Sequence, residues 1–146
     1  MRLFFLSLGA AAILTAGVAH ADAIADRQAI MKSFGHSVGT IAPMIKGDKP
    51  FDAAAVLAAL ETIDTGAKKL DFDTLFPAGS DKGKTAASPK IWQDKDEFVK
   101  HIDKLRSDAA AAVAAKPQSL DALKPVFRQV ASNCGACHQD FRLKRN

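Results

Sequence analysis

The stretch Cys134-Gly135-Ala136-Cys137-His138 constrains this chain more than any other feature. Two cysteines three residues apart, with a histidine directly after the second, form the attachment signature of c-type haem. Residues three and four apart share one face of a helix, so both thiols can add to the vinyl groups of one porphyrin while His138 lies beneath the iron. The motif therefore predicts a single covalent haem c, with Cys134 and Cys137 as thioethers and His138 as an axial iron ligand.

Three other interpretations of this cysteine pair are a redox dithiol, half of a zinc site and a plain disulfide. The chain has 2 cysteines in all, so no second pair completes a zinc tetrad. Nothing around the motif resembles the βαβ unit in which thioredoxin-like pairs occur. Haem attachment is therefore the favoured interpretation.

The amino terminus predicts export. Met1-Arg2 is a short cationic start, residues 3–18 form an apolar run, and Ala19-His20-Ala21 is an A-x-A cleavage site. This pattern indicates a secretory signal peptide, because the apolar run is short for a membrane span. We expect residues 1–21 to be removed and residues 22–146 to form one domain without a membrane span. The expected location is the periplasm, since this type of haem attachment is completed outside the bacterial cytoplasm.

Charge and composition narrow the function further. Removal of the leader takes away Arg2 alone among the charged residues, so the formal net charge falls from +4 to +3. No basic run is interleaved with aromatic residues, which excludes a typical nucleic-acid interface. The apolar residues are mostly alanine, the best helix former. A small alanine-rich bundle has a modest core, and a large apolar cofactor would complete it.

Four segments show apolar residues at spacings of three and four, and no segment shows a strand pattern. The first runs over 24–46, the second starts after the capping residue Asp52, the third runs from Ser88 to Lys116, and the fourth follows Ser119. An irregular surface connection is expected over 71–88. These elements predict an all-α fold, an up-down-up-down antiparallel four-helix bundle.

The same spacing predicts which residues of each helix face the interior of the bundle, and we call each such set of residues the stripe of its helix. In the first helix the stripe comprises Ile24, Arg27, Met31, Phe34, Val38, Ile41 and Ile45. In the second it comprises Val56, Leu60, Ile63, Ala67 and Leu70, with Gly66 as a weak point of the helix. The third contributes Ile91, Phe98, Ile102, Leu105, Ala109 and Ala112. The fourth contributes Leu120, Leu123, Phe127, Val130, Cys134, Cys137 and Phe141, which places the haem inside the bundle.

The chain resembles the class II cytochromes c, the cytochrome c prime family, over essentially the whole mature sequence. These are secreted four-helix bundles that carry the haem motif near the carboxyl terminus, whereas class I cytochromes c carry it near the amino terminus. The other segments that carry the resemblance are 27–32, Lys46-Gly47 with the aromatic-Asp start of the second helix, 75–77, 89–92 and the basic ending after Phe141.

Whether a side chain occupies the sixth coordination position of the iron decides which function is possible. In this topology the start of the first helix lies beside the end of the last, so Met31 and His138 lie roughly 12 and 9 Å from their shared end. Met44 lies roughly 30 Å from that end by the same count and cannot compete. The resemblance points to the same residue: four places after the family's arginine, members with an open iron carry a blocking apolar residue, and the low-spin branch carries a ligating methionine. The alternative is that Met31 only fills space in the core.

With His138 and Met31 both bound, the iron has no vacant position, which describes an electron carrier rather than an enzyme. The alternative hypothesis is a five-coordinate cytochrome c prime that binds nitric oxide or carbon monoxide. A haem enzyme such as a peroxidase would need distal acid–base residues, and the sequence shows no obvious distal His or Arg pair.

Several further residues have predicted roles. The resemblance implies that Arg27 pairs with a haem propionate; the alternative is that its side chain reaches solvent. Arg142, Lys144 and Arg145 could dock an acidic redox partner protein, or simply form a cationic helix end. His36 and His101 are expected at the surface. Family members are often dimers through their first two helices, so the resemblance allows a homodimer.

Overall fold

A computed structural model describes the backbone of residues 16–144 and the side chains of residues 22–144. Residues 1–15 of the predicted leader lie outside this described part, and so does Arg145, whereas the backbone of residues 16–21 belongs to α1. The described chain contains four long helices, α1 (Ala16–Lys46), α2 (Ala53–Lys69), α5 (Lys95–Ala115) and α6 (Leu120–Phe141). Two short helices, α3 (Phe72–Leu75) and α4 (Lys90–Gln93), lie between α2 and α5.

The long helices pack in chain order, α1 on α2, α2 on α5 and α5 on α6. The helix α1 approaches α6 at only a few positions. Each helix reverses direction relative to the one before it, so the prediction of an all-α antiparallel four-helix bundle is confirmed. In the part of the chain that the structure describes, no helix is long and apolar enough to cross a membrane.

The capping residues Asp52 and Ser119 and the stripes of α2 and α5 are confirmed, and the stripe of α6 is confirmed in part, because Leu120, Cys134 and Cys137 are only half-buried. Asp52 accepts a hydrogen bond from the Ala55 backbone N–H at 3.0 Å, and Ser119 accepts one from the Ala122 backbone N–H at 3.2 Å. Every residue of the α2 and α5 stripes is buried, and so are Ile91, Leu123, Phe127, Val130 and Phe141. These helices contact neighbours on a single broad face, so the apolar spacing identifies that face correctly.

The buried face of α1 differs from the predicted one. The buried residues are Ala23, Arg27, Phe34, Ser37, Ile41 and Met44. Ile24, Val38 and Ile45 are half-buried, and Val38 and Ile45 pack against the core, so their inward position is confirmed in part. Met31 is exposed, so the prediction that it lies inward is wrong. The reason is that α1 packs mainly on α2 and also on α3, which turns its buried face toward those helices. The four residues share an apolar stripe that the polypeptide covers only in part.

Gly66 of α2 is also a packing contact with α1, in addition to its low helix propensity. A Cβ atom at this position would lie 2.4 Å from Cε1 of Phe34 on α1. The absence of a side chain therefore lets the Phe34 ring pack directly against the α2 backbone.

The third predicted helix is interrupted. It starts at Lys90 rather than directly after Ser88, and it breaks at Asp94, whose backbone leaves the helical region at φ −132° and ψ 56°. The indole Nε1 of Trp92 donates to the Phe76 carbonyl at 2.9 Å and so holds α4 against the preceding loop. Because α4 is fixed by this contact and α5 by its packing on α2 and α6, the two segments meet at a break.

Residues 75–88, which we call the strap, connect α3 to α4. The irregular surface connection predicted over 71–88 contains the short helix α3 as well as the strap, and Ser80 within the strap is fully buried. At its far end the strap pairs with the segment after α6. The Ser88 N–H donates to the Phe141 carbonyl at 3.0 Å, and the Leu143 N–H donates to the Ala86 carbonyl at 2.9 Å. The strap therefore holds down the carboxyl-terminal segment directly beyond the cysteine–histidine motif.

Candidate haem site

Both cysteines lie on α6 as half-buried free thiols, and Cys137 packs against the apolar core. Burial raises the pKa of the Cys134 thiol. Burial, with the nearby Cys134 and Asp140, raises the pKa of Cys137 to about 11. A catalytic dithiol of the thioredoxin kind needs a lowered thiol pKa, so this electrostatic setting argues against that interpretation. The thiols are not joined in a disulfide.

The zinc interpretation finds no support either. Across the described residues, no group of three or more His, Cys, Asp or Glu side chains could hold a metal ion.

His138 follows Cys137 in the last turn of α6 and is exposed. Partial burial of its ring and the positive charge of Arg142 lower the pKa of the imidazole. A neutral imidazole keeps a nitrogen lone pair free, which is the form that binds a metal. The Arg142 backbone N–H donates to the His138 carbonyl at 3.3 Å and closes the helix there. The motif therefore offers two free thiols and an imidazole whose lowered pKa favours the metal-binding form, the donor set that haem c requires.

A chain of aromatic contacts aligns the start of α1 with the end of α6. The Arg27 guanidinium lies 4.9 Å from the centre of the Phe76 ring. The Phe76 ring meets Phe98 at 4.8 Å, and Phe98 meets Phe141 at 5.1 Å. Met31 lies four residues beyond Arg27 and His138 lies three residues before Phe141. Since α1 and α6 run in opposite directions, both residues lie one helical turn from the same layer.

Met31 does not fill the core. Its side chain is 39% exposed and belongs to the partly covered apolar stripe of α1. Met44, by contrast, is 5% exposed and packs in the core at the other end of that helix. Packing in the core therefore explains Met44 but not Met31.

Arg27 is buried, at 5% exposure, so the expectation that its side chain reaches solvent is wrong. Its guanidinium donates four hydrogen bonds to the strap, none of them to a carboxylate. Among the described residues no acidic group lies within 4.0 Å of Arg27. Burial accordingly lowers the pKa of Arg27. A buried cation without a counter-ion is costly, so an anionic group such as a haem propionate fits beside it.

Two histidines were expected at the surface. His36 is exposed as predicted, but the prediction for His101 is wrong, because its side chain is only 19% exposed. The His101 ring packs edge-on against Phe141 at 5.6 Å, and its Nε2 lies 3.9 Å from an Asp140 oxygen. It thus belongs to the aromatic layer at this end of the bundle.

The sequence pattern gave no prediction for a polar side chain that is buried beside the motif. Asn133 is buried next to Cys134, and its amide donates to Asp108 of α5 at 2.7 Å. Asp108 also accepts hydrogen bonds from Lys104 at 2.8 Å and Gln129 at 3.3 Å. The only sequence signal was a polar residue adjacent to the stripe of α6, which spacing alone assigns to the surface.

A four-helix bundle that presents C-x-x-C-H in its last helix defines a haem c protein of the class II type. The family model described as Cytochrome C' matches residues 22–142, and the chain belongs to that family. Cytochrome c-556 of Agrobacterium fabrum is 42% identical over 133 residues, which cover 90% of this chain and 89% of the relative. Cytochrome c' of Rhodopseudomonas palustris is 42% identical and is covered completely, as is this chain.

The solved structure of cytochrome c' from Rhodopseudomonas palustris shows the same fold. It superposes with a TM-score of 0.79 at 43% identity, covering 86% of this chain and 98% of that one. Haem c is therefore the cofactor of this protein, in agreement with the prediction from the motif.

Proposed function

We propose that this protein is a periplasmic mono-haem cytochrome that carries electrons and is not an enzyme. Cys134 and Cys137 form the thioethers, and His138 and Met31 are the axial ligands. The observation that carries the proposal is the position of Met31, which lies level with His138, outside the core and on an incompletely covered apolar stripe. Most members of cytochrome c families are electron carriers, which supports the same function.

The bound haem supplies a one-electron couple, and the protein determines what else can reach it. A methionine sulfur opposite His138 raises the reduction potential. It also fills the position at which a gas or a substrate would bind. Because both ligands come from long helices that are fixed by packing, little has to reorganise when the electron arrives or leaves.

Arg27 is proposed to pair with a propionate of the haem. Its guanidinium already uses both terminal nitrogens on the strap but has no acidic partner among the described residues. The four terminal N–H groups donate to the strap, so a propionate that left the strap in place would accept its hydrogen bond from Arg27 Nε and would neutralise the buried charge from that side.

The periplasmic location rests on the predicted leader. The family match begins at residue 22, the first residue expected after cleavage. Mass spectrometry of the exported protein should give a chain that starts at Asp22 and carries one haem. A retained leader would contradict this assignment.

The second candidate function is gas binding by a five-coordinate iron. One solved relative, cytochrome c prime from Alcaligenes xylosoxidans, was crystallised as the nitric oxide complex of a variant. That protein is 30% identical and superposes with a TM-score of 0.74. The family therefore supports this alternative as well, and the residue at position 31 distinguishes the two.

The visible absorption spectrum distinguishes the electron carrier from the gas-binding protein. If Met31 ligates the iron, the ferric protein is low-spin with a weak sulfur-to-iron band in the far red, and the ferrous protein binds carbon monoxide slowly or not at all. Met31→Leu should become high-spin, bind carbon monoxide readily and show a lowered potential. Met44→Leu is the matched control and should retain the wild-type spectrum. A wild-type protein that is high-spin when purified would favour gas binding instead.

We propose that the redox partner docks where the strap meets the carboxyl-terminal segment. Arg142 and Lys144 are exposed there, and Leu143 between them is 46% exposed. The strap pairing brings the exposed Lys84 to the same place, and Arg145 follows in the sequence. An exposed apolar residue surrounded by cations suits a partner with an acidic rim, because such charges steer the encounter.

A homodimer is the remaining proposal about partners. One family structure, 26% identical to this chain, is titled for its ligand-controlled dimer dissociation. A groove of about 600 Å³ between α1 and α2 is lined largely by small residues such as Ala29, Ser33 and Ala58. Analytical ultracentrifugation of the holoprotein should detect a dimer that bulky substitutions at Ala29 and Ala58 dissociate. A monomer at all concentrations would contradict it.

A further inference from the structure

The strap forms hydrogen bonds on both sides of the candidate haem site, to α1 on one side and to the end of α6 on the other. On the α1 side, Arg27 Nη1 donates to the Leu75 carbonyl at 2.9 Å and to Ser80 Oγ at 2.8 Å. Arg27 Nη2 donates to the Ser80 carbonyl at 2.8 Å and to Thr85 Oγ1 at 3.1 Å. On the α6 side, the strap pairs with the backbone of 141–143. The first attachment lies one turn from Met31 and the second lies one turn from His138.

Thr85 joins these two attachments. Its Oγ1 accepts a hydrogen bond from Arg27 and another from the Ala87 backbone N–H, both at 3.1 Å. Ala87 in turn forms a β-bridge with Arg142, whose N–H bonds to the His138 carbonyl. The bridge itself is made by the flanking hydrogen bonds, from the Ser88 N–H to the Phe141 carbonyl and from the Leu143 N–H to the Ala86 carbonyl. Hydrogen bonds and the short backbone segments between them therefore connect Arg27 on α1 to His138 on α6.

Direct packing between α1 and α6 is sparse compared with the other neighbouring pairs of long helices. At this end of the bundle the strap is therefore the main polypeptide connection between the two helices that carry the proposed iron ligands. Ser80 is fully buried, so the Arg27 end of this connection is held in one arrangement.

We propose that Ser80 and Thr85 are positioning residues for the iron. By accepting hydrogen bonds from Arg27, they fix the start of α1 relative to the end of α6 and so hold Met31 where its sulfur can bind. This inference rests on the proposed ligation by His138 and Met31. It assigns the strap a role in ligation, although none of its residues binds the iron.

The test uses the holoprotein with Thr85→Val, which keeps the side-chain shape but removes the oxygen, and separately with Ser80→Ala. Both variants should weaken the far-red sulfur-to-iron band and speed carbon monoxide binding to the ferrous protein. A change of roughly tenfold corresponds to about 1.4 kcal/mol, close to one lost buried hydrogen bond. Hydrogen exchange at the Ser88 and Leu143 amides should become faster. Thr85→Ser keeps the hydroxyl and should behave as the wild type.

Two controls separate positioning from general loss of stability. Thr62→Val removes a hydroxyl that bonds only within α2, to the Ala58 carbonyl at 2.9 Å, and should change nothing at the haem. Arg106→Lys disturbs another arginine that bonds to backbone carbonyls, those of Ala67 and Leu70 at the end of α2. It should lower the melting temperature but leave the far-red band and the carbon monoxide rate unchanged.

Each outcome is decisive for one hypothesis. A low-spin wild type with an unchanged band and carbon monoxide rate in both Thr85→Val and Ser80→Ala overturns the positioning role alone. Equal spectral changes in Arg106→Lys also overturn it, because general destabilisation would then suffice. A high-spin wild type refutes the proposed ligation itself.

Discussion

Replacing Gly66 with alanine should destabilise the protein, although alanine is the better helix former. The new Cβ would lie 2.4 Å from Cε1 and 3.0 Å from Cζ of Phe34. Non-bonded carbon atoms rest about 3.5–4.0 Å apart, so the ring or the helix must move by roughly 1 Å. Phe34 is 7% exposed and packed in the core, which leaves its ring little room to turn away.

The expected magnitude follows from two opposing contributions. Overpacking a core costs about 1–3 kcal/mol. Removing a glycine from a helix interior returns up to about 1 kcal/mol. The net loss in the free energy of unfolding is therefore about 1 kcal/mol, which lowers the melting temperature by about 4 °C for a domain of this size.

Two glycines of α1 provide matched controls. A Cβ atom at Gly35 or Gly39 would meet no atom within 4 Å, so alanine there should stabilise the protein by about 0.5–1 kcal/mol. Urea unfolding of the holoprotein, followed by far-ultraviolet circular dichroism, compares the three variants. In a Phe34→Ala background the clash disappears, and Gly66→Ala should become stabilising. A Gly66→Ala protein as stable as Gly35→Ala would refute the reasoning.

Three further predictions concern the haem, the half-buried carboxylate of Asp108 and the docking surface. A Cys134→Ser, Cys137→Ser chain should lack covalent haem and melt broadly, because a large apolar group is missing from the core; a sharp native-like melt would contradict this. Burial by itself would raise the pKa of Asp108, but hydrogen bonds from Asn133, Lys104 and Gln129 lower it overall. Asp108→Ala should therefore cost about 1 kcal/mol near neutral pH, and the difference from wild type should shrink below about pH 4 as the wild-type carboxylate is protonated; a constant difference would argue against it. Lys84→Glu with Lys144→Glu should slow reduction by reduced flavin mononucleotide, an anion, but not by neutral lumiflavin, and Lys49→Glu should have little effect on either.

The sequence was sufficient for features that depend on neighbouring residues. The caps at Asp52 and Ser119 and the stripes of α2, α5 and α6 each follow from residues within one or two turns of each other. The motif at 134–138 is equally local, so its chemistry could be predicted before any fold was known.

Features that depend on distant residues could not be predicted in this way. Arg27 bonds to Ser80 across 53 residues, and no spacing rule indicates that a buried serine will meet it. The rotation of α1 follows from its packing on α2 and α3, and the break at Asp94 follows from the anchoring of α4 by Trp92. In each case a contact made elsewhere in the fold outweighs the local pattern.

Similarity to known proteins leaves the choice between electron carrier and gas binder to individual residues. Relatives named cytochrome c-556 and cytochrome c' are each 42% identical to this chain. One bundle can serve both functions because methionine and leucine have similar volumes, so exchanging them costs less than about 1.5 kcal/mol even in a core. Met31 is 39% exposed, and its contribution to packing is smaller still. Met31→Leu should therefore leave the helical content unchanged while removing the proposed sulfur ligand. A change in spin state without loss of the fold would locate the choice of function in this one side chain, held in place from the strap.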